Sequence, residues 1–301
     1  MKCGESQLVY ETHIKCSNDS NDIIPCSCTL LGMDENKGHE ISSYVLIVTD
    51  ETELLRQQTE AEEAKTKSEN LLYQILPRGI VVKLNAGEKN ISFVVNYASI
   101  IFIDIVAFSE YTAMLTPQEI MGNLSTIFGA FDNACAKYNH ILKIKLIGDV
   151  YMAASGLFTQ DDPHQVHAEQ IINFGLEAIS LLDEINVKLS SNLQVRVGVN
   201  SGGPLIAGVL GTDKPVFDII GDPINVASRL QSTDLPGHIQ IPQATFELIS
   251  GSDYHIDQRG EVFLKGKGKT MAYLVKPKVL NLQNSNFDLQ SGSLEHSSEH
   301  C

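Results

Sequence analysis

The chain has 301 residues, 43% of them hydrophobic and 20% charged, which suits one or two ordinary globular domains. Its formal net charge of −15 argues against nucleic acid as a partner, so any bound anion must be held by a few placed bases or a metal. The longest apolar run, Ile91 to Phe108, is interrupted by Asn96 and Asp104, so no transmembrane helix is expected.

The first residues lack a basic-then-apolar signal pattern. Six irregularly spaced cysteines, with only Cys26 and Cys28 close together, suggest free thiols and a cytoplasmic setting. Residues 1–50 read as three strands, HIKC, IIPCSCTLLGM and SYVLIVTD, with the turn-rich DENKGHE before the last. Three strands without a helix are too few for an independent core. At Asp50 the pattern changes to a run of helix formers without Gly or Pro until Pro77, and Asp50 with Glu53 predicts a capping box. Heptads from Leu54 run through Gln57, Ala61, Ala64, Ser68 and Leu71 to Ile75. That is a weak coiled-coil seam, strong only at its ends, and a solvated single helix fits the same residues.

From Ile91 to Pro277 the pattern is mixed. A strand over Ser99–Val106 precedes a helix that opens at Thr116-Pro117-Gln118-Glu119, a capping box with Pro at the first helical position. ILKIKLI and VYMAAS form a hairpin through Gly148-Asp149, and a long helix runs from about Pro163 to Leu189. Strands QVRVGV, PLIAGVL and VFDII, the helix of NVASRLQS, and two closing strands around YHIDQRGEVFLKGKG and MAYLVKP follow. Residues 278–301, rich in Ser, Asn, Gln and His, read as a disordered tail.

In ASIIFIDIVAFSEY one carboxylate, Asp104, sits in an apolar strand, where an unpaired charge costs several kcal/mol. Asp149 stands at a hairpin tip, where Gly-Asp alone would explain it. Two carboxylates at strand ends could together hold a pair of hard cations and leave room for phosphates. Other signals fail. Gly268-Lys269-Thr270 lacks the P-loop glycine, since position 263 is Phe. His164 and His167 share a helix face without a third ligand and read as exposed. The glycines of SGGPLIAGVLG lack dinucleotide spacing and read as a tight turn with close strand packing.

FIDIVAF, KIKLIGDVYMAASG, RVGVNSG with AGVLG, FDIIGDPINVASRLQST and LKGKG resemble the class III nucleotidyl cyclase catalytic domain, in its order and spacing, across residues 91–277. LLYQILPRGIV is similar to the helix-and-turn entry of soluble cyclases, and YVLIVTDETE resembles the last strand and exit of a PAS domain. The resemblance implies an α+β, ferredoxin-like catalytic domain over 91–277, preceded by a PAS remnant over 1–50 and a signalling-helix linker over 51–90. It implies an adenylate cyclase, a lyase that makes 3′,5′-cyclic AMP and pyrophosphate from ATP in intracellular signal transduction. A guanylate or dual-purine cyclase and a catalytically silent dimerisation module are the rivals.

The resemblance also implies roles. Asp104 and Asp149, with the Ile105 carbonyl, would hold two Mg²⁺ or Mn²⁺ ions. The backbone from Val106 through Phe108 to Ser109 would cradle the triphosphate, and Lys265, with Lys267 second, would contact the terminal phosphates. Lys145 and Asp218 would read the base, since adenine N1 is an acceptor suited to Lys and its N6 amino group a donor suited to Asp. Asn225 and Arg229 would orient the ribose and stabilise the pentavalent phosphate. The family shares each site across a two-fold dimer, so one chain holding the whole set implies a homodimer with two sites. Two departures, an extra Gly in NSGGPL and Asp222-Pro223 before the Asn225 helix, put the level of activity in question more than the reaction type.

Overall fold

The computed structural model describes residues 9–17, 23–33 and 43–276, so the tail expected over 278–301 lies outside the described residues. Two compact units divide the chain, one ending at Ala86 and the other beginning at Gly87. Among the described residues no helix is long and apolar enough to cross a membrane.

In the first unit β1 (Val9–Ser17), β2 (Ile23–Met33) and β3 (Ser43–Asp50) form an antiparallel meander, the three strands expected. Helices α1 (Thr52–Ile75) and α2 (Arg78–Asn85) follow. The expected Asp50/Glu53 capping box does not form. Glu51 occupies the N-cap position but its side chain does not cap the helix, Asp50 Oδ1 accepts the Thr52 N–H at 2.8 Å, and Glu53 instead pairs with Arg56. Helix α1 buries none of its residues in the single chain.

The second unit is built on β5 (Ala98–Ile105), α3 (Phe108–Thr112), α4 (Pro117–Cys135), β6 (Ile141–Ile147), β7 (Val150–Ser155), α5 (His164–Leu189) and β8 (Val195–Gly202). The four strands lie in the order β8-β5-β7-β6, all antiparallel, which is the ferredoxin-like βαββαβ arrangement. The Thr116–Glu119 capping box opens α4 as the sequence predicts, with Pro117 in its first turn. Beyond β8 the sheet is extended by β11 (Ile239–Pro242), β13 (Gly268–Lys276) and β12 (His255–Leu264) to seven strands. Only β11 runs parallel to its β8 neighbour. The sequence reading did not separate α3, β11 or α7 (Gln243–Ile249), all short, nor β4 (Ser92–Val95). Strands β10 (Val216–Ile220), β9 (Leu205–Leu210) and β4 form a separate small sheet.

Strand alternation sets the two faces of the large sheet. Ile101, Ile103 and Ile105 of β5, with Val195, Val197 and Val199 of β8, point to a core that also holds Phe131 of α4 and Ile171 and Phe174 of α5. Burying each of these side chains contributes about 1.5–3 kcal/mol. Their neighbours Asp104, Arg196, Gly198 and Asn200 must therefore point to the other face. There helix α6 (Asp222–Ser232) lies against β8 and β5. It can come this close because Gly198 has no side chain: a Cβ there would stand 2.1 Å from the Gln231 backbone nitrogen. Gly203 in the β8–β9 turn and Gly208 in β9 serve the close packing expected, since a Cβ on them would meet the Asn96 and Ile91 carbonyl oxygens at 1.9 and 2.6 Å.

Candidate active site

Asp104 ends up 8% exposed, one residue from the end of β5. It stands directly across from Arg196 in the β5–β8 register and from Val150, next to Asp149, in the β5–β7 register. The first answer to its burial cost comes from the chain itself. Arg196 Nη2 donates to Asp104 Oδ2 at 2.6 Å, and Gln231 Nε2 of α6 donates to the same oxygen at 2.8 Å. A buried carboxylate is tolerable when its charge is paired and hydrogen-bonded in this way. Neither Arg196 nor Gln231 was singled out from the sequence. The available signal was that Arg196 is the one base in the apolar run QVRVGV, the mirror of Asp104 in its own strand.

Asp149 sits half-buried at the β6–β7 turn, after Gly148 with its φ of +64°. Its carboxyl pKa is raised, first by burial and further by the nearby negative charge of Asp104, while Arg196 opposes the rise. Asp104 and Asp149 are thus brought together as expected. Ile105 is buried through its side chain, so only its carbonyl could face a ligand. A divalent ion fits this donor set: two close carboxylates repel each other, and Oδ1 of Asp104 receives no hydrogen bond from the described residues. Among the described residues no cluster of three or more His, Cys, Asp or Glu side chains is arranged for a metal. An ion here would complete its shell from carbonyls, water or phosphate, as Mg²⁺ commonly does.

The turn after β5 holds Ala107 at φ +53°, a left-handed conformation costing about 1–3 kcal/mol in a non-glycine residue. It starts α3 at Phe108, whose ring packs on the core, and leaves the first amides of the helix without intrahelical acceptors.

Lys145 of β6 and Asp218 of β10 meet, with Nζ 2.6 Å from Oδ2. Asn225 and Arg229 lie four residues apart on α6 and share a face. The Arg229 guanidinium reaches over the β12–β13 turn, where a Cβ on Gly266 would be 3.7 Å from Nη1. Lys265 in that turn is exposed and has no ion pair among the described residues, whereas Lys267 is bound to Asp222. Of the two lysines, Lys265 is the one available to an anion.

These residues form two groups. Gln231 follows Arg229 by two positions, about 200° around a helix. One side of α6 therefore faces Asp104, and the other carries Asn225 and Arg229.

The expectation that His164 and His167 are exposed is corrected for one of them. His167 is fully buried, with Nε2 3.0 Å from the Thr159 carbonyl, because Gly156 leaves room for its ring. His164 stacks on Tyr97 at 3.8 Å between ring centroids.

Residues 94–277 match the model of the adenylate and guanylate cyclase catalytic domain. The germination-specific adenylate cyclase of Dictyostelium discoideum is 32% identical over 248 residues, covering 82% of this chain and 28% of that protein. The beta-2 subunit of soluble guanylate cyclase from Rattus norvegicus is 32% identical over 212 residues, 70% of this chain and 30% of that one. The catalytic core of a rhodopsin-guanylyl cyclase with converted specificity, solved with ATPαS, superposes with a TM-score of 0.57 at 30% identity. It covers 62% of this chain and 98% of that one. The chain spans less than half the length of the curated relatives it matches. With its ferredoxin-like core and both carboxylates in place, the chain belongs to the adenylate and guanylate cyclase catalytic-domain family.

Proposed function

We propose that the protein is an adenylate cyclase that converts ATP to 3′,5′-cyclic AMP and pyrophosphate, working as a homodimer with two shared sites. The observation that carries the purine assignment is the Lys145–Asp218 pair, a donor and an acceptor held side by side at 2.6 Å. Lys145 would donate to adenine N1 and Asp218 would accept from the N6 amino group. Guanine offers N1–H and O6 at those places and reverses both demands. Relatives of both kinds occur at similar identity, so this pair is what favours ATP.

Asp104, Asp149 and the Ile105 carbonyl would hold two divalent ions, Mg²⁺ or Mn²⁺. Such ions make the ribose 3′-hydroxyl a better nucleophile and neutralise charge on the phosphates. The chain's own groups do the rest. The amides that open α3 and the Lys265 ammonium receive phosphate oxygens. Asn225 orients the ribose so that O3′ lies in line with the α-phosphorus. Arg229 stabilises the charge that grows on the equatorial oxygens as the O3′–P bond forms and pyrophosphate leaves. Because α6 turns Asn225 and Arg229 away from Asp104, a second copy would supply that half of each site.

Residues 1–50 would act as a PAS-type sensory remnant and residues 51–90, with α1, as the linker that carries its signal. The free thiols of Cys28 and Cys135 suit a reducing cytoplasm.

The test is product identification by chromatography with ATP and GTP offered separately, for the wild type and for Lys145→Glu with Asp218→Cys. The wild type should form cyclic AMP with a strong preference over cyclic GMP, and the double variant should lose at least tenfold of that preference. Cyclic GMP as the main wild-type product would make it a guanylate cyclase. No product with either nucleotide and Mn²⁺ would leave a binding module without catalysis.

A further inference from the structure

The buried face of α6 carries a group that the proposed reaction does not use. Gln231 is 7% exposed, and its amide Nε2 points at Asp104 Oδ2, 2.8 Å away. Arg196 Nη2 approaches the same oxygen at 2.6 Å. A carboxylate attached through one rotatable bond can turn. Two donors arriving at one oxygen from different elements, β8 and α6, fix that rotation. They also satisfy Oδ2 and leave Oδ1 without a hydrogen bond from the described residues.

We propose that Gln231 is a positioning residue that holds the Asp104 carboxylate with Oδ1 presented to a divalent cation. The inference rests on the reading of Asp104 as a metal ligand. The side-chain amide suits the task better than a second base would. It is neutral, so it orients the carboxylate without reducing its negative charge, whereas a further cation would compete with the metal. Its location is built into the fold. Gly198 brings the α6 backbone against β8 at Gln231, and Asn200 Nδ2 holds the start of the helix through the Pro223 carbonyl at 3.0 Å. The helix cannot slide away from Asp104 without breaking those contacts. Gln231 is buried against Asp104, on the side of α6 away from Asn225 and Arg229, so its effect should appear in metal affinity rather than nucleotide affinity.

Gln231→Met keeps the length of the side chain and removes the donor, and Gln231→Leu removes it with a different shape. Mn²⁺ binding to the full chain is measured by the loss of the free-ion paramagnetic resonance signal without nucleotide. Turnover is measured against Mn²⁺ concentration at saturating ATP, and thermal unfolding is recorded for each variant. Outer-shell partners of metal ligands are commonly worth 10–100-fold in metal affinity. We expect the Mn²⁺ dissociation constant and the half-saturating Mn²⁺ for turnover both to rise about tenfold. Turnover at saturating Mn²⁺ should return to near the wild-type value, and the KM for ATP should be unchanged.

Unchanged Mn²⁺ affinity in either variant that unfolds as cooperatively as the wild type overturns the proposal. So does a loss of turnover that saturating Mn²⁺ fails to restore. If the wild type binds Mn²⁺ but forms no cyclic nucleotide, the cyclase reading fails while the binding comparison still decides the role of Gln231. If the wild type binds no Mn²⁺ and turns nothing over, both fail.

Discussion

Asp104 and Asp234 show two ways this chain handles a buried carboxylate. Asp104 is ion-paired with an arginine and hydrogen-bonded by an amide. Asp234, 6% exposed just after α6, accepts the Val197 N–H at 3.1 Å with Oδ2, while Oδ1 has no hydrogen-bond partner among the described residues. Burial pushes its pKa up to about 7 from an ordinary 3.8, against the lowering effect of its backbone donors and of Arg259 and Arg196. The folded protein therefore keeps this proton to a higher pH than the unfolded chain does. As pH rises from about 4 to about 7, the unfolded state ionises first and stability falls. Asp234→Asn keeps an acceptor for Val197 and has no charge to bury. Its melting temperature should equal or exceed the wild-type value at pH 8, and its advantage should shrink steadily toward pH 4. An advantage independent of pH would mean that Asp234 is ionised in the folded state throughout.

At the scale of elements, strands were legible where apolar runs were long and bounded by glycine or proline, and α4 was legible from its Thr116–Glu119 cap. The candidate site residues were named because the resemblance supplied spaced motifs, and the Lys145–Asp218 contact then appeared between strands far apart in sequence. Arg196 and Gln231 were not. An arginine in a strand and a glutamine in a helix have no meaning until the register of β5 with β8 and the seating of α6 bring them to one oxygen. His167 failed for a related reason: its spacing from His164 fits an exposed face, and only the empty side of Gly156 admits its ring to the interior.

Helix α1 raises a question of its own at this scale. Its seam residues Leu54, Leu71 and Ile75 are 53%, 55% and 71% exposed in the single chain. Pairing with a second α1 would bury its ends well and its middle, Gln57 to Ser68, poorly. A weakly packed middle lets a dimer change its angle at low cost. Replacing Gln57, Ala64 and Ser68 with Leu should therefore shift basal cyclase activity of the full chain by several-fold. The same assay on residues 77–277 supplies the baseline without the seam. Equal activity before and after substitution in the full chain would make α1 a passive spacer.

At the scale of the whole molecule, the homodimer proposed above would need a surface for the second copy, and the small sheet would supply one. Val94, Ile206 and Ile220 are neighbours across β4, β9 and β10, and Leu210 pairs with Val216 at the next end of the same sheet. All five are at least half exposed, in two apolar rows on one face separated by Ser92, Gly208 and Asp218, and exposed apolar residues grouped in this way suit an interface. This fits the division of the proposed catalytic groups about α6, one side of which faces Asp104 of β5 while the other carries Asn225 and Arg229.

That division is tested most directly by mixing two inactive proteins. Asp104→Ala and Arg229→Ala should each be nearly inactive as homodimers, because every site lacks either a metal ligand or the transition-state arginine. In a mixed dimer one site collects both defects, and the other takes an intact Asp104 from one chain and an intact Arg229 from the other. With free subunit exchange, half of the dimers are mixed and each holds one good site of two. The mixture should then recover about one quarter of wild-type activity. If tagged pull-down shows that mixed dimers have formed and cyclic nucleotide production stays at background, the shared-site account is wrong.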